Sequence, residues 1–185
     1  GKTTLAKLLV GLHKPSEGSI SVCDYDMETL DLSYYRRHIG YVMQNNLLFA
    51  GTISENIAMG AHSVDQRQIV NCAKLADAHG FINNLPLGYE QVVGERGVGL
   101  SGGQNQRLCI ARALYHDPKL LIFDEATSAL DGESEYQIQN NLSNILKDRT
   151  AVIIAHRLST VMEADQIFVL YKGQMAEKGT HAELV

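Results

Sequence analysis

Directly after the opening Gly1-Lys2-Thr3-Thr4, apolar residues at Leu5, Leu8, Leu9 and Leu12 recur at helical spacing, and Gly11, Pro15 and Gly18 end the pattern. A helix is therefore predicted at the front of the chain. Gly18-Ser19-Ile20-Ser21-Val22 alternates like a half-buried strand, and Ile39 to Met43 reads as a short strand entered from the polar segment around Arg36 and Arg37. From Ser54 to Asn84 the texture turns helical: Asp65 is placed to begin a helix that carries Ile69, Cys72, Ala73 and Ala76 on one face. This stretch is predicted to be a helical insertion.

Ser101-Gly102-Gly103-Gln104 introduces a second helix running through Leu108, Ala111 and Leu114, with Ser101 and Gln104 at capping-box spacing. Leu120-Leu121-Ile122-Phe123 is an unbroken apolar run ending in Asp124, as a strand buried on both faces of a parallel sheet requires. Ala151 to Ala155 and Ile167 to Tyr171 repeat that type, separated by helical stretches at Ser134 to Leu146 and near Leu158 to Ala164. Strands alternating with helices predict an α/β fold, a parallel sheet with helices on both sides. Lys172-Gly173 makes a tight turn into a last strand, and Thr180 and Glu183 have the spacing to cap a final helix. No internal repeat is visible.

A length of 185 residues with 45% hydrophobic and 20% charged residues suits one globular domain and excludes a disordered chain. The net charge of −5 gives no electrostatic reason to expect nucleic acid as a partner, so any phosphate must be held by local geometry. Cys23, Cys72 and Cys109 are odd in number and far apart, which favours reduced thiols over a disulfide framework or zinc site. The longest charge-free stretch, Ile39 to Ser54, contains Gln44, Asn45, Asn46 and Thr52 and is no membrane span. The abrupt opening, with no initiator methionine or signal peptide, reads as a fragment cut at both ends.

Gly1-Lys2-Thr3 matches the tail of the phosphate-cradling pattern G-x-x-x-x-G-K-[ST]. Such a start to an amphipathic helix is also ordinary surface chemistry, and three residues do not carry the reading alone. The helix that follows does place its positive dipole end beside any phosphate held by Gly1, Lys2, Thr3 and Thr4. Asp124 and Glu125 bring two carboxylates to the C-terminal end of a buried strand, where ligands of open α/β sheets bind. There Asp124 can hold Mg²⁺ and Glu125 can polarise a water for attack on a γ-phosphate, the alternative being a pair of solvated acids. Ser101, Gly102, Gly103 and Gln104 form a second anion grip: two glycines behind a Ser cap leave first-turn N–H groups unobstructed. Two such grips imply a γ-phosphate enclosed from both sides.

LSGGQ at 100–104, LLIFDE at 120–125, SALD at 128–131 and AHR at 155–157, in that order, resemble the nucleotide-binding domain of ABC transporters across essentially the whole chain. The resemblance implies a P-loop NTPase fold with an α-helical insertion, a core formed by 1–44 and 117–185, and a helical subdomain at 45–116 that carries the signature motif. It further implies ATP and Mg²⁺ as ligands and a head-to-tail dimer with a second nucleotide-binding domain. Within that dimer Lys2 and Thr3 lie at the phosphates and Mg²⁺, Ser101 and Gly103 at the partner's γ-phosphate, and Asp131 at the dimer contact. Gln44, otherwise an ordinary strand-end amide, matches the family glutamine that touches Mg²⁺ or the attacking water. His156, leaving the strand Ala151 to Ala155 at the same sheet edge as Asp124, is expected to contact the γ-phosphate.

Tyr35 to Gln44, Leu48 to Ile53 with Glu55-Asn56-Ile57, and Gly94 to Gly97 resemble exporters whose ATPase is fused to membrane helices. The stretches around Gly88-Tyr89, Asp124 to Glu135 and His156 to Val161 are similar to ATPases that secrete proteins and peptides. In place of the family's T-E-V-G-E-R-G stands Gln91-Val92-Val93 before Gly94, so an acidic contact to the membrane domain is missing or moved to Glu90 or Glu95. The expectation is an ATPase powering export at the cytoplasmic face of a membrane, with membrane helices fused upstream and no nucleic-acid partner. A soluble ABC ATPase acting on nucleic acid or ribosomes, a non-catalytic half of a heterodimer, and an importer subunit are the rivals. Because most of the phosphate loop, its feeding strand and the adenine-stacking aromatic precede Gly1 in the family pattern, the isolated chain is expected to bind ATP poorly.

Overall fold

The computed structural model describes residues 1–45, 47–94, 99–124, 138, 141–142, 144–154 and 162–185. Its centre is a parallel sheet in the order β3 (Ile39–Val42), β6 (Leu120–Asp124), β7 (Thr150–Ile154), with Val42 opposite Phe123 and Asp124 opposite Ile154. β6 alternates cleanly between two cores, as the twofold side-chain period of a strand demands. Ile122 faces helix α1 (Lys2–Leu9) and packs with Ala6, Val10 and Ile154, while Leu121 and Phe123 join the larger cluster formed with α6 (Gly102–Tyr115). Helices thus cover both faces, as the alternation of elements predicts.

The helical insertion is α3 (Ile53–Ile57), α4 (Gln66–Leu75) and α5 (His79–Asn83), docked on α6. α4 starts where expected: Asp65 accepts from the N–H groups of Arg67 and Gln68, and Ile69, Cys72, Ala73 and Ala76 are buried. Two glycines weaken the first turn of α6 by up to about 1 kcal/mol each, but burial of Leu108, Ile110 and Leu114 contributes about 1.5–3 kcal/mol per side chain and outweighs them. β3 runs so close to α6 that a Cβ on Gly40 would collide with the Ala113 carbonyl oxygen and lie 2.7 Å from Leu121 Cδ2. Gly40→Ala should therefore destabilise the domain by about 1–3 kcal/mol, measured as a lowered denaturation midpoint.

The helix expected at the front of the chain is α1, where Ala6 and Val10 are buried, Leu9 packs against the same cluster and Leu5, like Leu12 beyond the helix, is about half exposed; two strand expectations need correction. The small Ala6 side chain is what lets α1 lie close against Ile122. The strand expected over Gly18 to Val22 is only β1 (Ser21–Val22), which turns through Cys23 and Asp24, both at positive φ, into β2 (Tyr25–Asp26). β8 (Ile167–Tyr171) is not a buried parallel strand: it forms a largely exposed antiparallel hairpin with β9 (Gln174–Gly179). Lys172 and Gly173, at φ 50° and 82°, form the two-residue left-handed turn that favours such a hairpin. Elsewhere α2 (Leu32–Arg37), β4 (Gly51–Thr52) paired with β5 (Val92–Val93), and α7 (His181–Leu184), with its Thr180–Glu183 capping box, complete the described elements. Most of the helical stretches expected at 134–146 and 158–164 lies outside the described residues, although Ile138 and Ile145 are buried in the main core.

Candidate nucleotide site

α1 enters the site through its N-terminus. Gly1 is its N-cap and supplies no side-chain hydrogen bond to the first turn, whose N–H groups thus stay available to a ligand. The other end is anchored: the Tyr35 hydroxyl donates to the Leu9 carbonyl (2.8 Å), and the Arg36 guanidinium donates to the carbonyls of Val10 (3.0 Å) and Gly11 (2.6 Å). These α2 residues satisfy the helix's orphan acceptors and place a positive charge at its negative end.

Asp124 ends β6 and is 1% exposed. The Thr3 hydroxyl donates to its Oδ1 (3.3 Å) and the Tyr41 hydroxyl to its Oδ2 (3.4 Å). Tyr41 lies opposite Ile122 in the parallel register, so it shares a sheet face with Asp124 and with α1. Burial, reinforced by the Asp124 carboxylate, raises the Tyr41 phenol above its usual range and keeps its proton on the oxygen. Tyr41 is absent from the sequence-derived candidates; its signal was the twofold period of β3, which puts it beside the acid once the register is known. Gln44, two residues beyond Val42, is exposed at the same end of the sheet.

Among the described residues, the recorded partners of Asp124 are neutral hydroxyls, and a buried carboxylate so held favours a cation. One carboxylate, a hydroxyl and an amide are also what a magnesium ion carried in on phosphate oxygens requires, since it keeps few protein ligands. Thr3 and Asp124, which are in contact, have donor chemistry that fits such an ion, and the Gln44 amide stands after β3 at the same end of the sheet.

At the N-terminus of α6, the Ser101 hydroxyl accepts from the Gln104 N–H (3.2 Å) while Gln104 Oε1 accepts from the Ser101 N–H (3.0 Å). Within this box the Ser101 hydroxyl acts as an acceptor only. Gly102 is exposed and Gly103 buried, so the first two residues of the helix carry no side chain of their own. The structure thus joins Thr3 to Asp124 and Ser101 to Gln104, each pair at the N-terminus of a helix. Glu125, Asp131 and His156 lie outside the described residues, as do Glu95, Arg96 and Gly97 of the pre-signature segment. Glu90 accepts a hydrogen bond from the Ser54 hydroxyl (3.2 Å). His38, His79 and His116 serve local packing: His38 meets the Tyr34 carbonyl, His79 the Tyr89 hydroxyl and His116 the Met59 carbonyl.

The described residues hold no helix long and apolar enough to cross a membrane. The ABC transporter family model matches residues 1–128. Over its whole length the chain is 51% identical to the toxin RTX-I translocation ATP-binding protein of Actinobacillus pleuropneumoniae and 50% identical to the leukotoxin translocation ATP-binding protein LktB of Mannheimia haemolytica, spanning 26% of each. It superposes with a TM-score of 0.95 and 42% identity on a bacterial Atm1-family ABC exporter with ATP bound, covering all of this chain and 32% of that one. The chain belongs to the ABC transporter family, within its ATP-binding domain.

Proposed function

We propose that the protein to which these residues belong hydrolyses ATP to drive export of a polypeptide across a membrane. The contact between Thr3 and the buried Asp124, at the uncapped start of α1, carries the reading. Gly1, Lys2, Thr3 and Thr4 bind the phosphates of one ATP through first-turn N–H groups, the ammonium and the hydroxyl. Thr3, Asp124 and Gln44 hold Mg²⁺, which neutralises charge on the β- and γ-phosphates when bound. Glu125 orients and deprotonates the attacking water, and His156 donates to the γ-phosphate. Ser101, Gly102, Gly103 and Gln104 of a second, head-to-tail domain close the site, with Asp131 at the contact between the two.

On this reading 1–44 and 117–185 form the nucleotide core and 45–116 the subdomain that passes motion to membrane helices fused upstream. The assembly lies at the cytoplasmic face of a membrane. Polypeptide cargo is favoured because the relatives at 50–51% identity are named for toxin and leukotoxin translocation. The test is reconstitution of the whole protein in lipid vesicles with Mg²⁺ and ATP. The reading expects ATP hydrolysis and ATP-dependent passage of a polypeptide; a folded protein that shows neither, or whose hydrolysis responds only to nucleic acid or ribosomes, contradicts it.

A further inference from the structure

Arg112 lies in the last turn of α6, and its guanidinium makes three hydrogen bonds to two other segments. Nε donates to the Asn56 carbonyl (2.8 Å), Nη2 to Asn56 Oδ1 (2.8 Å) and Nη1 to the Leu47 carbonyl (2.7 Å). Its carbon centre also sits 5.5 Å from the centroid of the Phe49 ring. Asn56 of α3, 3% exposed, extends the clamp: Oδ1 accepts from the Phe49 N–H (2.9 Å), and Nδ2 donates to the carbonyls of Phe49 (2.9 Å) and Thr52 (3.0 Å). All four hydrogen-bonding positions of that amide are thereby used, which fixes its orientation. Leu48, 2% exposed, plugs the same loop into the core.

The clamped loop begins three residues beyond Gln44. Its anchor is the helix whose other end is Ser101. The recorded acceptors of Arg112 are all neutral, two carbonyls and an amide. A half-buried guanidinium tied to neutral acceptors is a costly way to stabilise a fold, and an apolar side chain would serve packing as well. What three divergent N–H groups supply instead is a fixed register between α6 and residues 47–52. We propose that Arg112 is a positioning residue that makes α6 and the Gln44-bearing loop move as one body, so that displacement of Ser101 on closure over nucleotide reaches Gln44. This rests on the roles given above to Ser101 and Gln44.

The test uses the full-length protein in lipid nanodiscs. With Arg112→Lys, kcat for Mg²⁺-ATP hydrolysis should fall about tenfold, as expected when a reacting group is misplaced, while KM for ATP stays within about twofold because α1 is untouched. Amide exchange supplies a readout independent of turnover. In a Glu125→Gln background, adding ATP should change protection of both the first turn of α1 and residues 47–52; Arg112→Lys should abolish the second change and keep the first. Parent-like kcat with the exchange change at 47–52 intact overturns the proposal, and so does loss of protection throughout the domain, the mark of a purely structural role. If Arg112→Lys does not fold, Phe49→Leu at an exposed position replaces it: a fall in kcat of about threefold supports the clamp and a parent rate overturns it. Glu125→Gln alone separates the two levels. If it too turns over at the parent rate, the reading of the site fails; if it is inactive while the Arg112 and Phe49 variants are not, only this inference does.

Discussion

Glu125→Gln in the full-length protein loses two to four decades of ATP turnover while retaining ATP, the span expected when a general base is replaced by an amide. In sequence Glu125 follows Asp124, the last residue of β6, whose carboxylate meets Thr3 at the start of α1. An amide of the same shape still orients a water but takes no proton, so the loss falls on kcat and not on nucleotide affinity. Single-turnover hydrolysis and equilibrium ATP binding, measured on the same preparation, check both halves. Turnover near the parent rate would strip Glu125 of the role.

Asp124→Asn has the next largest effect, a fall of about a hundred- to a thousandfold in Mg²⁺-dependent turnover, by analogy with removal of one preorganised electrostatic contact. Its direction on stability is opposite to that of most core substitutions. The carboxylate is 1% exposed and bonded to the neutral hydroxyls of Thr3 and Tyr41. An amide keeps acceptor capacity for one of them and removes a buried charge. Without Mg²⁺ the variant should therefore unfold at a temperature no lower than the parent's, while the stabilisation that Mg²⁺-ATP gives the parent should largely vanish. A magnesium titration of turnover together with thermal unfolding, with and without nucleotide, reads both. A variant that unfolds earlier without metal yet keeps its nucleotide-dependent stabilisation contradicts the assignment of Asp124.

The parts of the fold legible in the sequence are those where local chemistry and burial agree. Asp65 caps α4, Ser101 and Gln104 cap α6, and the apolar run 120–123 becomes the central strand that delivers Asp124. What stayed hidden depends on partners distant in sequence. The apolar residues of 167–171 look like a buried strand until the left-handed turn at Lys172-Gly173 pairs them with β9 at the surface. The leucine spacing of α1 does not show that Ala6 and Val10 are its buried residues, a choice made by the close approach to Ile122. Tyr41 reaches Asp124 only through the register of β3 on β6, and Arg112 reaches Leu47 only because α6 packs beside the loop that leaves β3. Spacing along one segment carries no trace of either meeting.

That two domains enclose one nucleotide is tested most directly by distance. Spin labels on the exposed Cys23, with Cys72 and Cys109 buried and the Cys72 thiol pushed up to about 11 by desolvation, report the separation of the two domains in the full-length Glu125→Gln protein. With Mg²⁺-ATP the labels should collapse to a single narrow distance, and Ser101→Arg, which crowds the partner's phosphate, should prevent it. A distance distribution that ignores Mg²⁺-ATP in the Glu125→Gln protein would contradict the account.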